Sequence, residues 1–177
     1  QLNVGYNDGP YGKATGTLHW DQQSVIDADA VYFGRGTNAT GVLDVPAGGT
    51  FLLGTADDPI QSLYIAYNTA VYGLASADLD FTGTDPTFEA YVGGVLGIGC
   101  NYYDGQADGK LTLGEHSSLH VGTPSELANL TIGYNDGDDG VTRGTGSLDA
   151  LQGQAELHLN QLNVGYNDGP YGKATGT

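Results

Sequence analysis

The apolar positions of this chain fall in short alternating stretches rather than in helical stripes. Leu2-Asn3-Val4, Leu111-Thr112-Leu113 and Leu130-Thr131-Ile132 each put two aliphatics on one side of a polar residue, and Gly, Asp, Asn, Thr or Pro bound them. A period of two over so few residues predicts brief β-strands joined by turns. One stretch, apolar-x-apolar followed by a small residue, keeps returning: Leu2–Gly5, Val31–Gly34, Leu63–Ala66, Leu96–Gly99, Leu130–Gly133 and Leu162–Gly165. Successive copies start 29, 32, 33, 34 and 32 residues apart, and the first and last lie 160 apart. Residues 161–177 repeat residues 1–17 without a change.

Each unit offers three such stretches. In the first unit they are Leu2–Val4, Leu18–Trp20 and the neighbourhood of Val25; in the fourth, Leu96–Ile98, Leu111–Leu113 and Leu119–Val121; in the last, Leu130–Ile132, a middle strand near Leu148, and Leu157–Leu159. Three short strands cannot bury their inward side chains alone, but coils stacked about 4.8 Å apart can. The expected fold is all-β: a parallel β-solenoid (β-helix) of about 32 residues per coil, with three short strands per coil forming three parallel sheets. Residues 1–160 read as one five-coil block and residues 161–177 as the start of the next identical block. Antiparallel hairpins would not return the same stretch at every third strand.

The two residues after each copy are Tyr6-Asn7, Arg35-Gly36, Tyr67-Asn68, Cys100-Asn101, Tyr134-Asn135 and Tyr166-Asn167. Asn tolerates turn geometry and can bond to the same residue one coil away, so Asn7, Asn68, Asn101, Asn135 and Asn167 form a candidate structural ladder. Tyr6, Tyr67, Tyr134 and Tyr166 would run beside it and stack along the axis. Gly36 interrupts the series in the shortest unit. Thr123-Pro124-Ser125-Glu126 is a capping box and predicts at most one helical turn, at a corner.

Charge narrows the function classes. With 21 Asp and Glu against 5 Lys and Arg, the net charge is −16, which opposes binding to phosphate backbones and excludes nucleic acid. No apolar run approaches the roughly 20 residues of a membrane span. Cys100 is the only cysteine, so no internal disulfide is available, and it reads as a packed thiol.

Candidate chemistry is sparse. Three Asn-Asp-Gly triplets and their surroundings supply Asp8, Asp136, Asp138 and Asp139 as candidate Ca²⁺ ligands, with Asp104–Gly109 as another oxygen-rich loop, but Asn-Asp-Gly is equally the chemistry of a tight turn and no known Ca²⁺ loop spacing is met. No cofactor is expected. His120 and His158, both placed in the middle of third strands, could share Zn²⁺ only with further ligands, and no Cys or carboxylate completes the set. Lys13, Arg35, Lys110 and Arg143 are scattered over different units and no nucleophile motif occurs, so a catalyst is not expected. Asn38-Ala39-Thr40 and Asn129-Leu130-Thr131 are glycosylation sequons.

Where the recurring stretch is followed by Gly-Tyr-Asn-Asp-Gly and then by Gly-Thr-Gly-x-Leu, the chain resembles the β-solenoid repeats of bacterial autotransporter passengers and sorted surface proteins. The matching residues are Leu130–Gly137 with Gly144–Leu148, and Leu2–Gly9 with Thr15–Leu18. Val71–Ala77 departs from the pattern. The resemblance implies an extracellular or cell-surface fibrous protein. Residues 129–145 match residues 1–17 at only 9 of 17 positions, whereas 161–177 match at all of them. Divergence inside the unit and identity between units suggest a tandem array of 160-residue blocks, a structural fibre whose partner is itself. The alternative is a glycan-binding or adhesive module on the same scaffold. A third reading, a Thr array for ice, suffers because Thr pairs do not recur at matching offsets.

Overall fold

The computed structural model describes residues 1–20, 23–82 and 86–177. The chain winds into a parallel β-solenoid with three faces. The first holds β1 (Leu2–Asn7), β4 (Ala30–Gly36), β7 (Ile60–Asn68), the end of β9 (Thr87–Asn101), β12 (Ala128–Asn135) and β15 (Leu159–Asn167). The second holds β2 (Ala14–His19), β5 (Ala39–Asp44), β8 (Leu74–Asp80), β10 (Gln106–Thr112), β13 (Arg143–Asp149) and β16 (Lys173–Gly176). The third holds β3 (Val25–Ile26), β6 (Thr50–Leu53), the start of β9, β11 (Ser117–Val121) and β14 (Gln154–Leu157). Among the described residues every pairing is parallel, and the register stacks the recurring stretch on itself: Leu2 on Val31, Leu63, Leu96, Leu130 and Leu162.

Two sheets form where three were expected. β9 passes from the third face to the first without ending, because only Gly93-Gly94 occupies that corner and a shift in register beside Ile60–Ser62 absorbs the bend. The first and third faces therefore share one ten-stranded sheet. The third strand of the last unit also differs from expectation. It is Gln154–Leu157, with Leu159 already in β15.

The core tapers. On the second face the inward positions read small-x-small-x-Leu, as in Ala14-Thr15-Gly16-Thr17-Leu18, and the register aligns Gly16 with Gly41, Ala77, Gly109, Gly146 and Gly176. Opposite them stand Gly5, Gly34, Ala66, Gly99, Gly133 and Gly165, all left-handed with φ between 62° and 71°. The two faces touch backbone to backbone there: a Cβ on Gly133 would overlap the Thr175 carbonyl oxygen. Away from that edge the faces part to admit Phe33, Phe51, Phe88, Leu96, Leu111 and Leu119, all fully buried. Burial of each such side chain stabilises by about 1.5–3 kcal/mol. The segment that broke the Gly-Thr-Gly pattern, Val71–Ala77, runs from the loop after β7 into β8, where Ala75, Ala77 and Leu79 keep the inward register.

Candidate functional site

At the narrow edge the Asn residues line one corner, in register from Asn68 through Asn101 and Asn135 to Asn167. The side-chain bonds are fewer. Asn101 Nδ2 donates to Asn135 Oδ1 at 2.8 Å, and Asn135 Nδ2 donates to Asn167 Oδ1 at 2.8 Å. Asn68 closes its own loop instead, accepting from Ala70 N at 2.9 Å, and Asn101 Oδ1 stays buried without a partner. Asn7 faces Gly36, which has no side chain, and donates to the Thr37 carbonyl at 2.6 Å.

Beside this corner runs an aromatic stripe. Tyr32 stacks on Tyr64 at 5.3 Å, Tyr67 leans on Tyr102 at 5.3 Å, Tyr102 on Tyr134 at 4.7 Å, and Tyr134 stacks on Tyr166 at 5.9 Å. Tyr102, from a turn, continues the stripe where Cys100 takes the Tyr position. Gly97 and Cys100 leave a hollow, and the Tyr64 ring lies against Gly97. Burial pushes the Cys100 thiol and the Tyr64 phenol up to about 12, and Tyr134 is raised to about 12 by burial and then by Asp136. Cys100 is buried and held as a neutral thiol. At the other end, the Arg35 guanidinium carbon lies 4.5 Å from the Tyr32 ring centre, 5.2 Å from Tyr6 and 6.0 Å from Tyr67.

Loop length sculpts the surface. Only residues 37–38 join β4 to β5, whereas residues 8–13 join β1 to β2 and residues 69–73 join β7 to β8. The second coil is recessed between two ridges, and the result is a groove of about 340 Å³ lined by Tyr6, Asp8, Pro10, Arg35, Thr69 and Tyr72 among others. The same rule acts at the Gly93-Gly94 corner, flanked by loops 54–59 and 122–127, where a hollow of about 170 Å³ holds Tyr91, His120, Glu126, Glu156 and His158. Those flanking loops are matched turns: Thr55 Oγ1 accepts from Asp58 N, and Thr123 Oγ1 from Glu126 N, each at 3.0 Å. The capping bond expected at Thr123 thus forms, but reciprocal backbone bonds between Thr123 and Glu126 close a turn, not a helix.

A carboxylate does stand between the two histidines, contrary to expectation. Glu156 lies opposite His120 in the ladder, with Oε2 3.3 Å from His120 Nδ1 and Oε1 2.8 Å from His158 Nε2. His158 follows β14 instead of sitting mid-strand. Bonds from His158 and then His120 hold the Glu156 carboxyl below the usual range. The Tyr91 ring stacks on His120 at 4.5 Å.

The remaining candidates are dispersed. Asp8 accepts from Tyr6 Oη at 3.2 Å, Asp139 Oδ1 accepts from Val141 N at 3.3 Å, the Asp138 amide donates to Asp104 Oδ1 at 2.9 Å, and Asp136 is exposed. Among the described residues no three His, Cys, Asp or Glu side chains are grouped to hold a metal ion. Asn38 sits in the two-residue turn with φ 47° and donates to the Gly12 carbonyl at 3.3 Å, while Asn129 accepts from Asn160 at 3.3 Å. On the outside of the second face Thr15, Thr40, Thr145 and Thr175 do align, a column the spacing had hidden, but Ser76 and Asp108 interrupt it. No helix among the described residues is long and apolar enough to cross a membrane.

Loop lengths and the place of Arg35 were visible in the sequence; that they meet in one groove was not, because grooves arise between coils about 30 residues apart. Comparison with protein-family models, curated proteins and solved structures finds no match to the chain.

Proposed function

We propose that this chain is a stretch of an extracellular structural fibre in which 160-residue solenoid blocks stack along one axis, in the manner of the bacterial surface repeats it resembles. One observation carries the reading. Residues 162–167, identical to residues 2–7, lie parallel and in register on β12, and residues 173–176 lie in register on β13. The underside of the first coil is therefore built from residues that already fit the top of the fifth. A block joined in this way pairs its strand edges with the next block's, which removes the hazard that open edges pose.

Lys13, Arg35, Lys110, Arg143 and Lys173 are spread over five coils, with Arg143 and Lys173 in register on β13 and β16. Residues 161–177 hold one Asp and one Lys, so the whole net charge of −16 belongs to residues 1–160. Neighbouring fibres repel at low salt, and divalent cations bundle them. Electron microscopy of the native material tests the reading. Filaments with an axial repeat near 24 Å, about five coil rises, are expected; isolated particles one block long would overturn it.

A further inference from the structure

We propose that the groove over the second coil binds a neutral carbohydrate, with a pyranose ring laid against Tyr72 and its hydroxyls shared between Arg35 and Asp8. This inference is independent of the fibre reading, since a single block presents the groove. Arg35 is the only residue of the Tyr column that is neither Tyr nor Cys, and it occupies the floor of the only coil whose link from the first face to the second is cut to two residues. Its guanidinium is fixed by three Tyr rings, and its one acceptor among the described residues is Asn3 Oδ1 at 3.3 Å. In a chain with 21 acidic residues, no carboxylate among the described residues lies within ion-pair distance of it. A planar fork of N–H donors is thus pre-oriented and largely unused, and a fixed side chain loses little freedom on binding.

The rest of the lining completes a sugar-like complement. Asp8 supplies an acceptor across the groove, so one hydroxyl can accept from Arg35 while its neighbour donates to Asp8. Tyr72 is 69% exposed and stacks on no other described ring, which leaves its face free for the C–H side of a pyranose. Pro10 on the opposite ridge adds an apolar wall. Acidic glycans are disfavoured, because Asp8 shares the groove lining with Arg35 and the chain carries −16 overall.

Titration of the full chain with gluco-, manno- and galacto-configured oligosaccharides, and with oligouronates, followed by calorimetry and by NMR of the Tyr rings, tests this. At least one neutral series should bind, about tenfold or more tighter than the uronates. Arg35→Lys and Tyr72→Ala should each weaken it about tenfold or more, while Tyr166→Ala, at the far end of the stripe, leaves it unchanged. Tyr72 is exposed, so its variant folds even if the Arg35 variant does not. Absence of binding to every neutral series, preference for uronates, or binding that survives Tyr72→Ala would overturn the proposal.

Discussion

Residues 1–17 and 161–177 are the same sequence at opposite ends of the stack, and they live in different surroundings. Val4 is 5% exposed and Val164 is 50% exposed. A Cβ on Gly5 would overlap the Thr40 carbonyl, whereas the nearest atom to one on Gly165 is 3.3 Å away. Both glycines keep the left-handed backbone, with φ of 71° and 63°. Local conformation therefore follows the sequence, while burial and crowding come from the neighbouring coils. In a solenoid this is general: each coil contributes half of an environment and its neighbours the other half.

The largest expected effect breaks the comparison at that glycine. Gly5→Ala adds both left-handed strain and a clash with the second coil, and should cost about 2–5 kcal/mol. Gly165→Ala adds strain alone and should cost about 1–2 kcal/mol. Denaturant midpoints for the first, and amide exchange in β15 for the second, report the difference; equal costs would mean that the close approach at the narrow edge is wrong.

The Asn corner sharpens it next. Asn135 is buried and bonded on both sides, so Asn135→Ala strands Asn101 and Asn167 partners and should cost about 2–4 kcal/mol, against about 0.5–1.5 kcal/mol for Asn167→Ala. Chemical denaturation of the two variants in parallel would read this order.

The corner also marks how far the sequence could be read. The repeated stretch dictated the register correctly from Leu2 to Leu162, because each slip would turn an aliphatic outward. The order of corner residues was visible too, but not which Asn bonds to which: Asn68 turns to its own loop and leaves Asn101 Oδ1 unpartnered, a choice made by loop 69–73 and not by composition. The merging of two faces through β9 depended on a two-residue corner, and the Glu156 bridge between His120 and His158 on which strand ended first. These are relations between coils, and a pattern read along one coil does not contain them.

A smaller effect is expected from alkali. Cys100, Tyr64 and Tyr134 have pKa values raised in the folded chain to about 12. A raised value means that the unfolded state releases its proton first, so the stability these groups contribute is intact below their ordinary values, about 8.5 for the thiol and 10 for phenols. It is lost as pH climbs from there towards about 12. Circular dichroism and tyrosinate absorbance followed together should show the middle coils loosening as the phenols ionise; ionisation of all the tyrosines at their ordinary pKa with the fold intact would contradict the burial.

The smallest effect is expected at the middle coil, which stands between the two extremes. Ala66 carries a Cβ at φ 62° where five coils have glycine, and its methyl packs with Ala75 and Ala107. Ala66→Gly relieves the strain and opens a methyl-sized gap, so the two terms oppose and the net change should stay within about 1 kcal/mol. A thermal melt suffices to check it.

The stacking of one block on the next is tested most directly in a chain that carries residues 1–160 twice in tandem and ends on residues 161–177. Cryo-electron microscopy or small-angle scattering should show a single straight rod lengthened by about 24 Å, five coil rises, with the second Leu2 seated over Leu130 of the first block. Two bodies on separate axes, or a second first coil left unpaired, would contradict the account.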